Sequence, residues 1–84
     1  MNTRVVDQEI PFMTEEEFKS TFSANVIDRL ARYGIRRSNL CKLTGMAPAS
    51  LYPIVKGERM PSGYAIAKIC KAIGSSLEDL LHRE

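Results

Sequence analysis

The sequence predicts an all-α domain, five short helices packed into one bundle. Three observations lead there. Apolar residues recur at helical spacing from Phe18 onward. Glycines at positions 34, 45, 57 and 74 interrupt that pattern at short intervals. Two segments, Thr14–Glu17 and Ser76–Asp79, carry the hydroxyl-x-x-acid signature of a helix start. The chain has 84 residues, 44% hydrophobic and 26% charged, which suits one globular domain. A core of this size is marginal, so dimerisation would be a natural stabiliser.

Residues 1–13 show no helical period. Val5, Val6, Ile10 and Phe12 are apolar, and Pro11 bars a regular central strand. They are expected to form an N-terminal arm, extended or disordered, ahead of a domain at 14–84. Thr14-Glu15-Glu16-Glu17 then opens the first helix, since Thr14 can accept the amide three residues on and Glu17 can reach back. The three carboxylates also suit the positive end of the helix dipole. Phe18, Phe22, Val26, Leu30 and Tyr33 form its core stripe, and Gly34 ends it.

A second helix spans about 37–44, with Leu40 and Leu43 apolar, and a third about 48–56, with Leu51, Ile54 and Val55 apolar. Pro48 is well placed at a first helical position, where no amide partner is needed. Pro53 lies inside the third helix and is expected to bend it. Ser62 caps a fourth helix, about 63–73, whose buried stripe is Ile66, Ile69, Cys70 and Ile73; Tyr64 at its opening is expected to cover the core in preference to stacking on a sugar. Gly74 stops it, and Ser76–Asp79 opens a fifth helix reaching about Arg83.

Composition removes several kinds of chemistry. Cys41 and Cys70 are too few for a disulfide scaffold or a four-ligand zinc site, and His82 is the lone histidine. Both cysteines fall inside helical apolar patterns, where a free thiol behaves as a small buried hydrophobe. No cofactor and no metal are expected. With no nucleophile–base arrangement and no Gly-rich phosphate loop, nothing would carry a reaction, so the chain is not expected to be an enzyme. No apolar run approaches the roughly 18 residues of a membrane span, and the first residues lack the pattern of a secretory leader. The expected location is cytoplasmic, with no membrane partner.

Charge is unevenly spread. Residues 1–18 set Arg4 against Asp7, Glu9, Glu15, Glu16 and Glu17, a net −4, so the remainder carries +6 of the overall +2. A basic body of this kind suits a polyanionic partner. The stretch Gly34–Gly57 gives the charge a use. Two short helices joined across Gly45-Met46-Ala47 form a helix-turn-helix, whose second helix enters the major groove of DNA.

From about Val26 to Leu81 the chain resembles the Cro/repressor-type (Xre-like) helix-turn-helix family. The matching residues are Gly34-Ile35, Leu40-Cys41, Gly45-Met46, Leu51, Ile54, Gly57 and Pro61. The run from Ala72 to Leu81 (AIGSSLEDLL) completes the match. The resemblance implies a five-helix lambda-repressor-like fold and a usually dimeric DNA-binding transcription regulator. Such proteins occur among phage repressors, plasmid regulators and antitoxins. Cys41 stands where the family has a small alanine in tight helix contact. The family's buried Arg–Glu pair is replaced by Leu30 and Val55, and losing both partners leaves no charge stranded.

The resemblance also implies the DNA contacts. Arg36 and Arg37 open the second helix, Arg37 at a phosphate-contacting position usually held by glutamine. Pro48, Ala49, Ser50, Tyr52, Pro53 and Lys56 make the groove-facing surface of the third helix, and Arg59 follows in the next loop. The family's base-reading amides are missing from this set, which predicts readout by DNA shape and apolar contact more than by hydrogen bonds. Lys68 and Lys71 are expected on a solvated face.

The expected function is that of a sequence-specific transcriptional regulator, a repressor, acting as a homodimer on a palindromic operator in double-stranded DNA. Dimer contacts would come from Val5, Val6, Ile10 and Phe12 of the arm, or from Leu77, Leu80 and Leu81 of the fifth helix. The alternative reading is an antitoxin or anti-regulator whose acidic arm grips a protein partner such as a toxin.

Overall fold

The structure, a computed structural model, describes residues 12–83. It contains five helices: α1 Glu15–Tyr33, α2 Arg37–Thr44, α3 Pro48–Val55, α4 Gly63–Ile73 and α5 Leu77–Leu80. No strand occurs among the described residues. Most of the arm read from the sequence, with Val5, Val6 and Ile10, lies outside the described residues.

Local chemistry sets the helix ends. The Thr14 amide donates to Glu17 Oε1 at 2.8 Å and the Glu17 amide to Thr14 Oγ1 at 3.1 Å, completing the expected capping box. The amide hydrogen bond at Thr14, aided by the Arg83 guanidinium, holds the Glu17 carboxyl below its ordinary pKa of 4.5. A depressed carboxylate pKa means that this contribution is present above the unfolded value and fades as pH falls through the folded one. At the other end of α1, Gly34 takes φ +65°, and the amides of Gly34 and Ile35 donate to the carbonyls of Ala31 and Leu30. That is a Schellman closure, repeated at the end of α4 by Gly74 and Ser75 onto Lys71 and Cys70.

The core is continuous across all five helices. Phe18, Phe22, Val26 and Leu30 of α1 pack with Leu40, Leu51, Ile54, Val55, Ala65, Ile69, Ile73 and Leu80. Leu30 and Val55 are both inside this cluster. Beside them Ser23, buried in α1, donates its hydroxyl to the Val55 carbonyl, tying α1 to the end of α3. Thr44, also buried, returns its hydroxyl to the Leu40 carbonyl at 2.7 Å.

Four expectations about packing need correction. Tyr33, placed in the α1 stripe, is 53% exposed. The buried stripe steps by four residues and drifts around the helix, and Ile35, beyond the turn, packs against the core instead. Leu43 of α2 is 59% exposed, and Cys41 and Thr44 face inward in its stead. Tyr64 does not cover the core but stands 75% exposed at the opening of α4. Cys41 and Cys70 are half-buried against the core rather than within it, and burial pushes the Cys70 thiol pKa up.

The fifth helix is also shorter than the pattern suggests, ending at Leu80 rather than near Arg83. Its start is as expected, with Ser76 and Asp79 exchanging amide and side-chain hydrogen bonds at 3.0 and 3.3 Å. Its end is captured by α1, because Asn25 Nδ2 donates to the carbonyls of Leu80 at 2.8 Å and His82 at 3.0 Å. Those carbonyls are satisfied without another helical turn. Asn25→Ala should therefore cost about 1–2 kcal/mol, two side-chain hydrogen bonds partly replaced by water. Urea denaturation checks the value, and deuterium exchange at residues 80–83 should rise more than in the core.

Candidate nucleic-acid interface

The helix-turn-helix is built from α2, the turn at Gly45-Met46-Ala47, and α3. Gly45 supplies φ +72° and donates its amide to the Cys41 carbonyl at 2.8 Å, so the chain reverses within a few residues. Thr44 steadies the corner by accepting the Met46 amide at 3.3 Å. Leu40 and Leu51, each wholly buried, bury one side of both helices in the core. The opposite side of α3 is thereby left facing outward.

That outward side carries the groove-facing residues expected from the sequence. Pro48, Ala49, Ser50 and Lys56 are exposed, and Tyr52 and Pro53 are half-buried. Pro48 opens the helix after Ala47. The helix runs through Pro53 without a break and ends two residues later. Proline withholds an amide from the Ala49 carbonyl, yet Ala49 is an exposed residue within reach of water. The Pro53 carbonyl in turn accepts the amides of Glu58 at 2.9 Å and Arg59 at 3.2 Å, which folds the following loop back under the helix. Pro53 is thus used to shape the α3–α4 loop.

Gly57 fixes where that loop leaves. Its φ is +78°, and a Cβ added there would lie 3.2 Å from Ser23 Cβ and 3.4 Å from the Lys19 carbonyl oxygen. Both the backbone conformation and the space demand glycine. Arg59 and Met60 then reach the surface before buried Pro61 and the Ser62 cap, whose Oγ accepts the Ala65 amide at 3.1 Å. The Ser23 hydrogen bond has no signature in the sequence, because it depends on α1 lying beside the end of α3.

Four cations flank this face, and none of them is drawn into an ion pair among the described residues. Among the described residues, ion pairs join Lys19 to Glu16 at 2.6 Å, Arg32 to Asp28 at 3.0 Å and Arg83 to Glu17 at 3.6 Å. All three involve residues of α1. Arg36, Arg37, Lys56 and Arg59 are exposed and have no carboxylate partner among the described residues. Arg36 also lacks any capping acceptor, although its amide donates to Asn39 Oδ1 at 3.3 Å. Two cations at a helix N-terminus oppose the dipole, a cost that a bound phosphate would offset.

The dimer candidates divide. Leu80 is a core residue with no exposed surface, so it cannot serve a dimer contact as the sequence suggested. Phe12, 73% exposed, and Leu81 line one open groove with Met13, Glu17, Glu78, His82 and Arg83. Leu77 is exposed. Among the described residues no three His, Cys, Asp or Glu side chains gather where a metal could be held, and no helix is long and apolar enough to cross a membrane.

Comparison with known proteins matches the fold. The family profile of the Cro/C1-type HTH DNA-binding domain matches residues 25–84, from the middle of α1 through the helix-turn-helix to the last residue. No curated protein and no solved structure matches the chain. The matched segment holds every residue of the outward face, and the family is one of DNA-binding domains, not of enzymes. The chain belongs to the Cro/C1-type helix-turn-helix DNA-binding family.

Proposed function

We propose that the protein is a transcriptional repressor that binds double-stranded DNA as a homodimer on a short palindromic operator. The observation that carries this reading is the outward side of α3, flanked by four cations without carboxylate partners, in a chain of a DNA-binding family. In this arrangement Arg36, Arg37, Lys56 and Arg59 hold phosphates on either side of the groove and set the register. Pro48, Ala49, Ser50, Tyr52 and Pro53 face the bases. Alanine and proline meet thymine methyl groups, while the hydroxyls of Ser50 and Tyr52 supply hydrogen bonds to bases or backbone. Much of the selectivity then comes from DNA shape.

Residues 14–84 form the DNA-binding domain in this reading, and residues 1–13 form an arm beside the dimer contact. Two copies meet through the end of the molecule that carries Phe12, Leu77 and Leu81, joined by Val5, Val6 and Ile10, which lie outside the described residues. Dimerisation places the two α3 helices about 34 Å apart, one turn of DNA.

The test is fluorescence anisotropy of a labelled mixed-sequence duplex against the full chain over a salt series. Affinity should fall linearly in log–log form, with a slope of about −0.9 per phosphate neutralised. Absence of binding at low salt would refute the reading. Ser50→Ala and Tyr52→Ala should alter which sequences are preferred while leaving that slope unchanged. Sequencing of bound DNA from a randomised pool reads the first effect and the salt series the second.

A further inference from the structure

A second surface stands apart from α3, on the last turn of α2 and the outer side of α4. Leu43 is among the most exposed large hydrophobic residues described, although Leu40 beside it is wholly buried. It lines an open groove of about 330 Å3 with Thr44, Lys68, Lys71 and Ala72. The Thr44 hydroxyl is already committed to the Leu40 carbonyl and the Met46 amide, so it offers the groove no free donor. One turn earlier on α4, exposed Tyr64 carries the Lys68 ammonium 4.6 Å from its ring centroid. Neither Lys68 nor Lys71 has a carboxylate partner among the described residues. The result is an apolar floor walled by two uncompensated cations.

We propose that this groove docks an acidic amphipathic segment of a protein partner, with one large aliphatic side chain on Leu43 and Ala72 and carboxylates paired to Lys68 and Lys71. Charge complementarity selects the acidic occupant, and the apolar floor selects a peptide over DNA. A duplex backbone brings phosphates to the lysines but no aliphatic group to cover Leu43, which would be left against charge. The Tyr64 ring restrains the Lys68 side chain through this cation–π contact, lowering the ordering cost of pairing. The surface lies outside the residues proposed to touch DNA, so a partner could be held while the domain sits on its operator.

The experiment uses the full chain and the fluorescein-labelled peptide AEELAELLEEAA, with AEESAESSEEAA as its apolar-deleted control. The leucine peptide should bind saturably and the control at least about tenfold more weakly. Leu43→Ser, and separately the double change Lys68→Ala and Lys71→Ala, should each weaken the leucine peptide about tenfold. These side chains are exposed or half-exposed, and thermal melts unchanged from the parent confirm intact folding. Leu43→Ser should leave affinity for a mixed-sequence duplex unaltered. Equal binding of both peptides would show charge attraction alone and overturn the proposal, as would variants that bind the leucine peptide like the parent. Loss of duplex affinity in the double variant with peptide binding intact would assign the lysines to DNA instead. The peptide assay contains no DNA, so its outcome is independent of the operator reading.

Discussion

Gly57→Ala should destabilise the domain by about 2–4 kcal/mol, combining a left-handed backbone penalty of roughly 1–2 kcal/mol with overpacking of similar size. The first term follows from φ +78°, a conformation that an L side chain disfavours. The second follows from the 3.2 Å and 3.4 Å approaches to Ser23 Cβ and the Lys19 carbonyl oxygen, both on α1 and one of them backbone. Gly34→Ala is the internal control. Gly34 has φ +65° with nothing within 4 Å of an added Cβ, so only the backbone penalty applies there. Thermal denaturation followed by circular dichroism should show a Tm about 10–25 °C lower for Gly57→Ala and about half that for Gly34→Ala. Equal losses would mean that the α1–α3 contact is looser than described. The displaced loop carries Arg59, so DNA affinity of the Gly57 variant should fall even at temperatures where it remains folded.

Arg36→Ala and Arg37→Ala should each weaken DNA binding about tenfold, the size of one charge-assisted contact of roughly 1.4 kcal/mol. The loss should be the same for every sequence tested, because phosphate contacts carry no base information. Each change should also reduce the magnitude of the salt slope by about 0.9, one counterion released fewer. Folding should be untouched or slightly improved, since removing a cation from the start of α2 relieves the opposed dipole. That combination separates a phosphate contact from a structural role: weaker binding, a shallower salt dependence and undiminished stability. An Arg37→Ala variant with unaltered affinity and slope would show that α2 does not lie on the DNA backbone.

Much of the fold was legible because its determinants are local. Thr14, Ser62 and Ser76 each bond an amide three residues on, and Gly34, Gly45 and Gly74 each take the left-handed conformation that closes a helix. Such signals act within one helical turn and survive without knowledge of what packs nearby. The outward turns of Tyr33, Leu43 and Tyr64 were not legible, because helical period marks them as apolar without saying which neighbour is missing. The early end of α5 was hidden for the same reason, since it depends on Asn25, 55 residues from Leu80. In the binding face, the charges of Arg36, Arg37, Lys56 and Arg59 and the composition of α3 could be read directly. What the sequence could not show was that these four cations stand unpaired while the described ion pairs gather on α1.

Pro53 illustrates the boundary between the two. From sequence it is a proline inside the third helix, expected to bend it. In the structure α3 continues through it, and its carbonyl collects two amides from the loop behind. The proline therefore costs one hydrogen bond at exposed Ala49 and orders the segment that leads to Arg59.

In the proposed complex this face reads a two-fold symmetric DNA site. The deciding measurement is selection of bound duplexes from a fully randomised pool by the full chain, followed by sequencing. An inverted repeat should be enriched, its half-sites centred about one turn, 10–10.5 base pairs, apart, with few invariant bases in each half. Retention of DNA with no sequence enriched, or a single unrepeated half-site, would contradict it.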